Sequence, residues 1–135
     1  MAYWSFEDLE VWKLGCDLAV EIYEALGECR DFGLRNQMTR AAVSVSSNIA
    51  EGAERGSARD FVRFLHISKG SLAELRTQLL IASRVGVLSE AQSNSLSAKC
   101  RRISGMLQAL IKHQNSKAYD ETPEYQLPPD LTPNT

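Results

Sequence analysis

Between Ala41 and Gly52 the sequence reads Ala-Ala-Val-Ser-Val-Ser-Ser-Asn-Ile-Ala-Glu-Gly, a stretch of helical length with almost no bulky side chain. Small residues around most of a helix let neighbouring backbones approach on more than one face. No chemistry requires such a run, whereas close helix packing does. From just before it, Met38, Ala42, Val45, Ile49 and Gly52 recur at alternating spacings of four and three and form one stripe. That stripe serves a bundle core. The opposite face, carrying Val43, Ser47 and Ala50, is exposed unless another subunit covers it, so these three residues are the predicted oligomer interface.

The same period returns elsewhere. A first helix is predicted from Phe6 to Leu26, striped by Leu9, Trp12, Cys16, Ala19, Tyr23 and Leu26; Gly27 opens a polar loop, and a second helix follows from Leu34 to Arg55. Ser57 with Asp60 has the form of an N-cap and opens a third helix striped by Phe61, Leu65, Ser68, Leu72, Leu75, Leu79 and Ala82. Gly86 is placed to end it. Ser89 with Gln92 forms a capping box for a fourth helix striped by Leu96, Cys100, Ile103, Leu107 and Leu110. Four amphipathic helices of shared period joined by short loops specify an all-α, antiparallel up-down four-helix bundle over residues 1–117. From residue 118 to 135 the composition shifts to four prolines among acids and small polar residues, which predicts a flexible acidic tail.

A chain of 135 residues suffices for one such domain without disulfides or metals. Cys16, Cys29 and Cys100 form no Cys-x-x-Cys pair and leave an odd thiol, which fits a reducing compartment. No basic-then-apolar leader and no long uncharged apolar run is present, so the expected location is cytoplasmic with no membrane partner. The formal charge of −2 conceals a segregation: Met1 to Asp31 has eight acidic and two basic residues, Phe32 to Lys117 thirteen basic and five acidic, and the remainder four acidic. Such asymmetry marks complementary surfaces that meet on assembly or a basic face for a polyanion.

Arg35, Arg40, Arg55, Arg59, Arg63 and Lys69 gather by sequence around the second helix, the following turn and the third helix, and are the candidate nucleic-acid-binding residues. Arg76, Lys99, Arg101 and Arg102 extend them. There is no aromatic-interleaved platform or base-reading motif, so binding through them is expected to be sequence-tolerant and salt-sensitive. Pairing between subunits with the acidic first helix accounts for the same charges equally well. Asn48, Glu51 and Glu74 are predicted to form a buried polar network, with Arg40, Arg63, Lys69 and the Trp12 indole as possible partners, because an unpaired buried carboxylate costs several kcal/mol. His66 and His113 stand alone, no cysteine lies at metal-ligand spacing, and neither a phosphate loop nor a nucleophile-base pair can be assembled. Neither an enzyme nor a cofactor or metal site is expected.

Three segments together, Phe6-Glu7-Asp8-Leu9-Glu10-Val11-Trp12, Asn48-Ile49-Ala50-Glu51-Gly52, and Phe61-Val62-Arg63-Phe64-Leu65 through Gly70-Ser71-Leu72-Ala73-Glu74-Leu75, resemble the four-helix-bundle family encoded in intervening sequences of bacterial 23S ribosomal RNA genes. That family is similar to the accessory proteins of diversity-generating retroelements. The resemblance spans Phe6 to His113. It implies a homopentamer with an open, ring-like arrangement, and a non-catalytic adaptor for RNA, DNA or a nucleic-acid-processing protein such as a reverse transcriptase. A protein-only assembly is the alternative. Ser46 stands where family members commonly carry proline, so the second helix is expected to be locally straighter.

Overall fold

The computed structural model describes residues 5–120. A single 3-10 turn at Phe6–Asp8 leads into α1 (Glu10–Ala25), followed by α2 (Phe32–Glu54), α3 (Ala58–Arg84) and α4 (Glu90–Asp120); the described residues contain no strand. The ends of these elements follow from identifiable side chains. Ser5 Oγ accepts from Glu7 N while Asp8 Oδ2 accepts from Ser5 N, closing a capping box on the opening turn. Asp31 Oδ1 accepts from Leu34 N at 3.1 Å, which starts α2 at Phe32, two residues ahead of the expected start. Ser57 Oγ accepts from Asp60 N, and Ser89 and Gln92 exchange two bonds of 3.0 and 3.1 Å, as their spacing predicts. Gly86, at φ +79°, turns the chain back so that Val87 N and Leu88 N both donate to Ala82 O. Helix α4 continues to Asp120, three residues past the expected boundary. The remainder of the predicted tail, 121–135, lies outside the described residues.

Cross-helix contacts fix the direction of each helix. Ser68 Oγ donates to Val45 O and Ser44 Oγ to Ser71 Oγ, while Gly52 abuts Phe61 and Phe64, so position along α3 falls as position along α2 rises. Lys69 reaches Gln108 and Ser93 Oγ donates to Leu79 O, which makes α3 and α4 antiparallel. Ala25 and Glu21 adjoin Gln92 and Lys99, and Leu14 and Asp17 adjoin Arg102, which makes α1 and α4 antiparallel as well. Each helix packs on its chain neighbours and α1 closes on α4. An up-down bundle results.

The core holds Leu18, Ile22, Met38, Val45, Ile49, Leu65, Leu72, Leu75, Leu79 and Leu107 essentially without solvent exposure. Each such side chain contributes about 1.5–3 kcal/mol relative to an exposed position. The predicted stripes of α2 and α3 are buried throughout; in α4 the last core position is Ile111, with Leu110 half-buried beside it. In α1 the expected stripe is displaced. Val11, Gly15, Leu18, Ile22 and Leu26 face the core, whereas Trp12, Cys16 and Ala19 are half-buried and Tyr23 is exposed. Both series have the helical period, and the choice between them is made by Gly15. Its missing side chain admits Ser46 of α2, whose Oγ donates to the Trp12 carbonyl and sits 2.3 Å from where a Gly15 Cβ would lie. Helix α2 runs through Ser46 without a break.

Candidate assembly groove and basic face

The displacement of the α1 stripe leaves an apolar series unused by the core. Trp12, Cys16 and Ala19 lie along the α1 edge that borders α2. Phe6 packs edge-on against Trp12, with ring centroids 5.3 Å apart, and closes one end. Across from them α2 presents Val43, Ser47 and Ala50. Together with Ser46 these residues line a shallow, open groove of about 420 Å³ whose walls are almost entirely apolar. Val43 is 43% exposed, and Val20 and Tyr23 continue the uncovered apolar surface of α1. The three residues expected at an oligomer interface are thus brought together by the fold; α1 supplies Trp12, Cys16 and Ala19, which their period assigns to the core stripe, and the opening 3-10 turn supplies Phe6, expected at the start of the first helix. Their signal was present in the sequence: α1 carries apolar residues on two adjacent series, more than one core face can use.

The expected basic cluster is not assembled as one patch. Arg55 and Arg63 both approach the ring of Phe64, with guanidinium carbons 5.0 and 4.6 Å from its centroid. Each also has a carboxylate neighbour, Glu51 at 3.0 Å from Arg55 and Asp60 at 3.6 Å from Arg63. With Glu54 and Arg59 in the same corner, the local charge is close to balanced. Arg35 lies in the first turn of α2, twenty residues and about 30 Å from Arg55 along the helix, and Arg40 is exposed between them. Lys69 points the other way, donating to Gln108 Oε1 of α4 at 2.5 Å.

What the fold does concentrate is positive charge on the α3–α4 side. Helices α3 and α4 each carry five basic and two acidic residues, α2 is balanced, and α1 carries four acidic and one basic. Lys69 and Arg76 lie on the α3 flank that meets α4, and Arg101 lies opposite, held by a bond to Ser97 Oγ. Arg76 and Arg101 both act on the Cys100 thiol between them. Its burial pushes its pKa up to about 11, against the lowering pull of the two guanidiniums. On the other flank of α4, Lys99 pairs with Glu21, and Arg102 shares a concavity with Asp17 and Glu21. Part of the acidic charge of α1 is therefore matched within the chain, along α4.

The buried polar network does not form within the chain. Glu51 and Glu74 are exposed and Asn48 is half-buried. Glu51 pairs with Arg55, Glu74 accepts from Gln78 Nε2 at 3.2 Å, and Asn48 Nδ2 donates to the Ser44 carbonyl one turn back. Helix α2 needs polar side chains there because that edge meets solvent beside α3; the burial went to Thr39, Ser46 and Ser68 instead, whose hydroxyls donate to backbone carbonyls. Among the described residues no group of three His, Cys, Asp or Glu side chains is placed to hold a metal ion, and no helix is long and apolar enough to cross a membrane.

Comparison with known proteins agrees with the helical fold. The sequence model of a family described as 23S rRNA-intervening sequence protein matches residues 7–109. A crystal structure, at 1.70 Å resolution, of a protein with unknown function from the S23 ribosomal protein family of Bacteroides thetaiotaomicron superposes with a TM-score of 0.71 at 26% identity. The match covers 76% of this chain and 98% of that one. No curated protein shows significant similarity.

Proposed function

The chain belongs to the 23S rRNA-intervening sequence protein family, and from that premise we propose that it is a non-catalytic, homo-oligomeric adaptor that engages nucleic acid through the α3–α4 face. The observation that carries this reading is the separation of two surfaces: an uncovered apolar groove on the α1–α2 side and a concentration of Lys and Arg on the opposite side. A closed ring of identical subunits joins each copy head to tail and so needs two different, complementary patches. The groove is one. Ile67 and Ile81, half-exposed and fourteen residues apart on α3, supply a second apolar line of matching period. With the grooves occupied, the basic flanks repeat around the ring, and their summed field attracts phosphates far more strongly than one protomer does. A pentamer is the expected size. A nucleic-acid-processing protein, such as a reverse transcriptase, would then be held through the nucleic acid it shares with the ring.

The protein-only alternative, in which acidic and basic surfaces satisfy one another between subunits, is weakened by the Lys99–Glu21 pair. It consumes acidic charge within the protomer.

Light scattering coupled to size exclusion tests both halves. Wild-type protein is expected to run as an oligomer, and Ala50→Glu and Ile67→Glu are each expected to run as monomers. Mixing the two variants should give a dimer, since each retains one intact patch. A monomeric wild type, or variants that never complement, overturns the assembly. With a fluorescent generic RNA in a salt series, the oligomer should retain RNA at low salt and release it steeply as salt rises. A Lys69→Glu, Arg76→Glu, Arg101→Glu variant should assemble but lose the RNA. Unchanged retention by that variant refutes the basic-face reading.

A further inference from the structure

A second concavity lies at the corner where α2 turns into α3 and the end of α4 passes beside it. Ala53, Gly56, Ser57, Ala58, Phe61, Gln114 and Lys117 line it, and it encloses about 280 Å³. Four features converge there. The first is the amino terminus of α3, a helix of 27 residues, whose leading N–H groups carry the positive end of the helix dipole. The second is a set of backbone donors. Asp60 N is taken by Ser57 Oγ and Phe61 N by Ser57 O, but among the described residues Gly56, Ser57 and Ala58 have no acceptor for their N–H groups. Gly56, at φ +86°, follows the right-handed Arg55, the αR–αL sequence that turns successive amides toward one point.

The third feature is Gln114. The residue is 9% exposed, its side chain makes no hydrogen bond among the described residues, and it lines the cavity. With no partner in the fold, its amide is available to donate N–H to whatever occupies the cavity. The fourth is Lys117, one turn further along α4 on the same face, which brings a full positive charge to the rim. No carboxylate lines the cavity.

We propose that this corner is a binding site for a phosphate monoester. Three backbone N–H groups, the Nε2 hydrogens of Gln114 and the Lys117 ammonium supply the donors, and they match the oxygens of a dianionic phosphoryl group. The volume exceeds what a bare phosphate fills, and Ala53, Ala58 and Phe61 form an apolar wall. The esterified group therefore seats a small planar or apolar moiety against Phe61. A free mononucleotide and the 5′-phosphorylated end of an oligonucleotide share this chemistry. The site is separate from the α3–α4 face, since Lys69, Arg76 and Arg101 do not line it.

Amide chemical shifts of isotope-labelled full-length protein, titrated with inorganic phosphate, with adenosine 5′-monophosphate, and with a short DNA oligonucleotide bearing either a 5′-phosphate or a 5′-hydroxyl, test the proposal. The Gly56, Ser57 and Ala58 resonances should move and saturate with the monophosphate. The 5′-phosphorylated oligonucleotide should reproduce the shifts if the end of a strand is the natural source; if only the mononucleotide does so, a small molecule is. Gln114→Leu and Lys117→Glu should each weaken binding at least fivefold, while the Lys69→Glu, Arg76→Glu, Arg101→Glu variant leaves it unchanged. Resonances at 56–58 that stay still with every phosphate, or move equally in the Gln114→Leu and Lys117→Glu variants, overturn the site. Failure of the triple variant to bind RNA would leave it standing.

Discussion

Replacing Gly52 with alanine places a methyl carbon 2.6 Å from Cβ of Phe64, 3.1 Å from Cδ1 of Phe61 and 3.3 Å from Cγ of Phe64. Carbon atoms in contact prefer about 3.5–4.0 Å, so α2 and α3 must part locally by about 1 Å. The Phe64 Cβ is fixed to its own helix and has no rotamer that moves it away, so the backbone has to give. Overpacking against an atom that cannot swing away lies in the upper part of the usual range, about 2–3 kcal/mol, against which alanine recovers about 1 kcal/mol of helix propensity. The expected net effect is a destabilisation of about 1–2 kcal/mol. Gly70 is the internal control. It too lies inside a helix, in α3, but an added Cβ there meets nothing within 4 Å, so Gly70→Ala should stabilise by about 0.5–1 kcal/mol. In a domain of this size the two variants should melt on opposite sides of the wild type, separated by roughly 6–12 °C. Circular dichroism melts at one fixed protein concentration measure this, since the proposed assembly would make stability concentration-dependent. A Gly52→Ala protein as stable as wild type would refute the argument that this glycine sets the α2–α3 distance.

Other consequences are equally direct. Leu72, fully buried, should lose about 2–5 kcal/mol on truncation to alanine, whereas Leu80→Ala on the same helix, at a position 52% exposed, should stay within about 0.5 kcal/mol; chemical denaturation of both variants checks the core assignment. Ser89→Ala removes one acceptor and breaks the reciprocal cap of α4, which should cost about 1 kcal/mol in the same assay. The Cys100 thiol ionises near 9.0 when unfolded and at about 11 in the fold. The native state therefore holds its proton over a range where the unfolded chain has lost it. Stability from this group is fully present below pH 9 and falls as pH rises through 11, by about 2–3 kcal/mol at most. A Cys100→Ala protein should show a flatter stability profile between pH 9 and 11. In native protein at pH 8, thiol titration should label the half-buried Cys29 well before Cys100.

The bundle itself was written into local sequence. Helix period, the Ser57 and Ser89 caps and the Gly86 turn are set by neighbours within a few residues, and they placed α2, α3 and α4 to within about two residues at each described start. The small-residue run of α2 likewise announced close packing, because the size of a side chain limits approach whatever the partner is. What could not be read locally was which of two equally periodic stripes of α1 faces inward. Val11–Gly15–Leu18–Ile22 and Trp12–Cys16–Ala19–Tyr23 are both apolar enough. The contact between Gly15 and Ser46, thirty-one residues apart, decides between them, and in deciding it turns the second stripe into a groove beside Val43, Ser47 and Ala50.

Charge followed the same rule. The sequence determined how many basic residues lie between Phe32 and Lys117, but helices distribute side chains around a full turn every 3.6 residues, so neighbours in sequence diverge in space. Arg55 and Arg63 converge on Phe64 because two helices meet there, Arg35 is carried to the far end, and Lys69, Arg76 and Arg101 meet only because α3 and α4 are antiparallel. Glu51 and Glu74 lie outside the core for a related reason: on α2 and on α3 alike, the carboxylate takes the side of its helix that leaves it hydrated. Periodicity and caps, being properties of a single helix, were fixed by sequence alone; the identity of each surface depends on which helices are packed side by side, and only the tertiary structure supplies that.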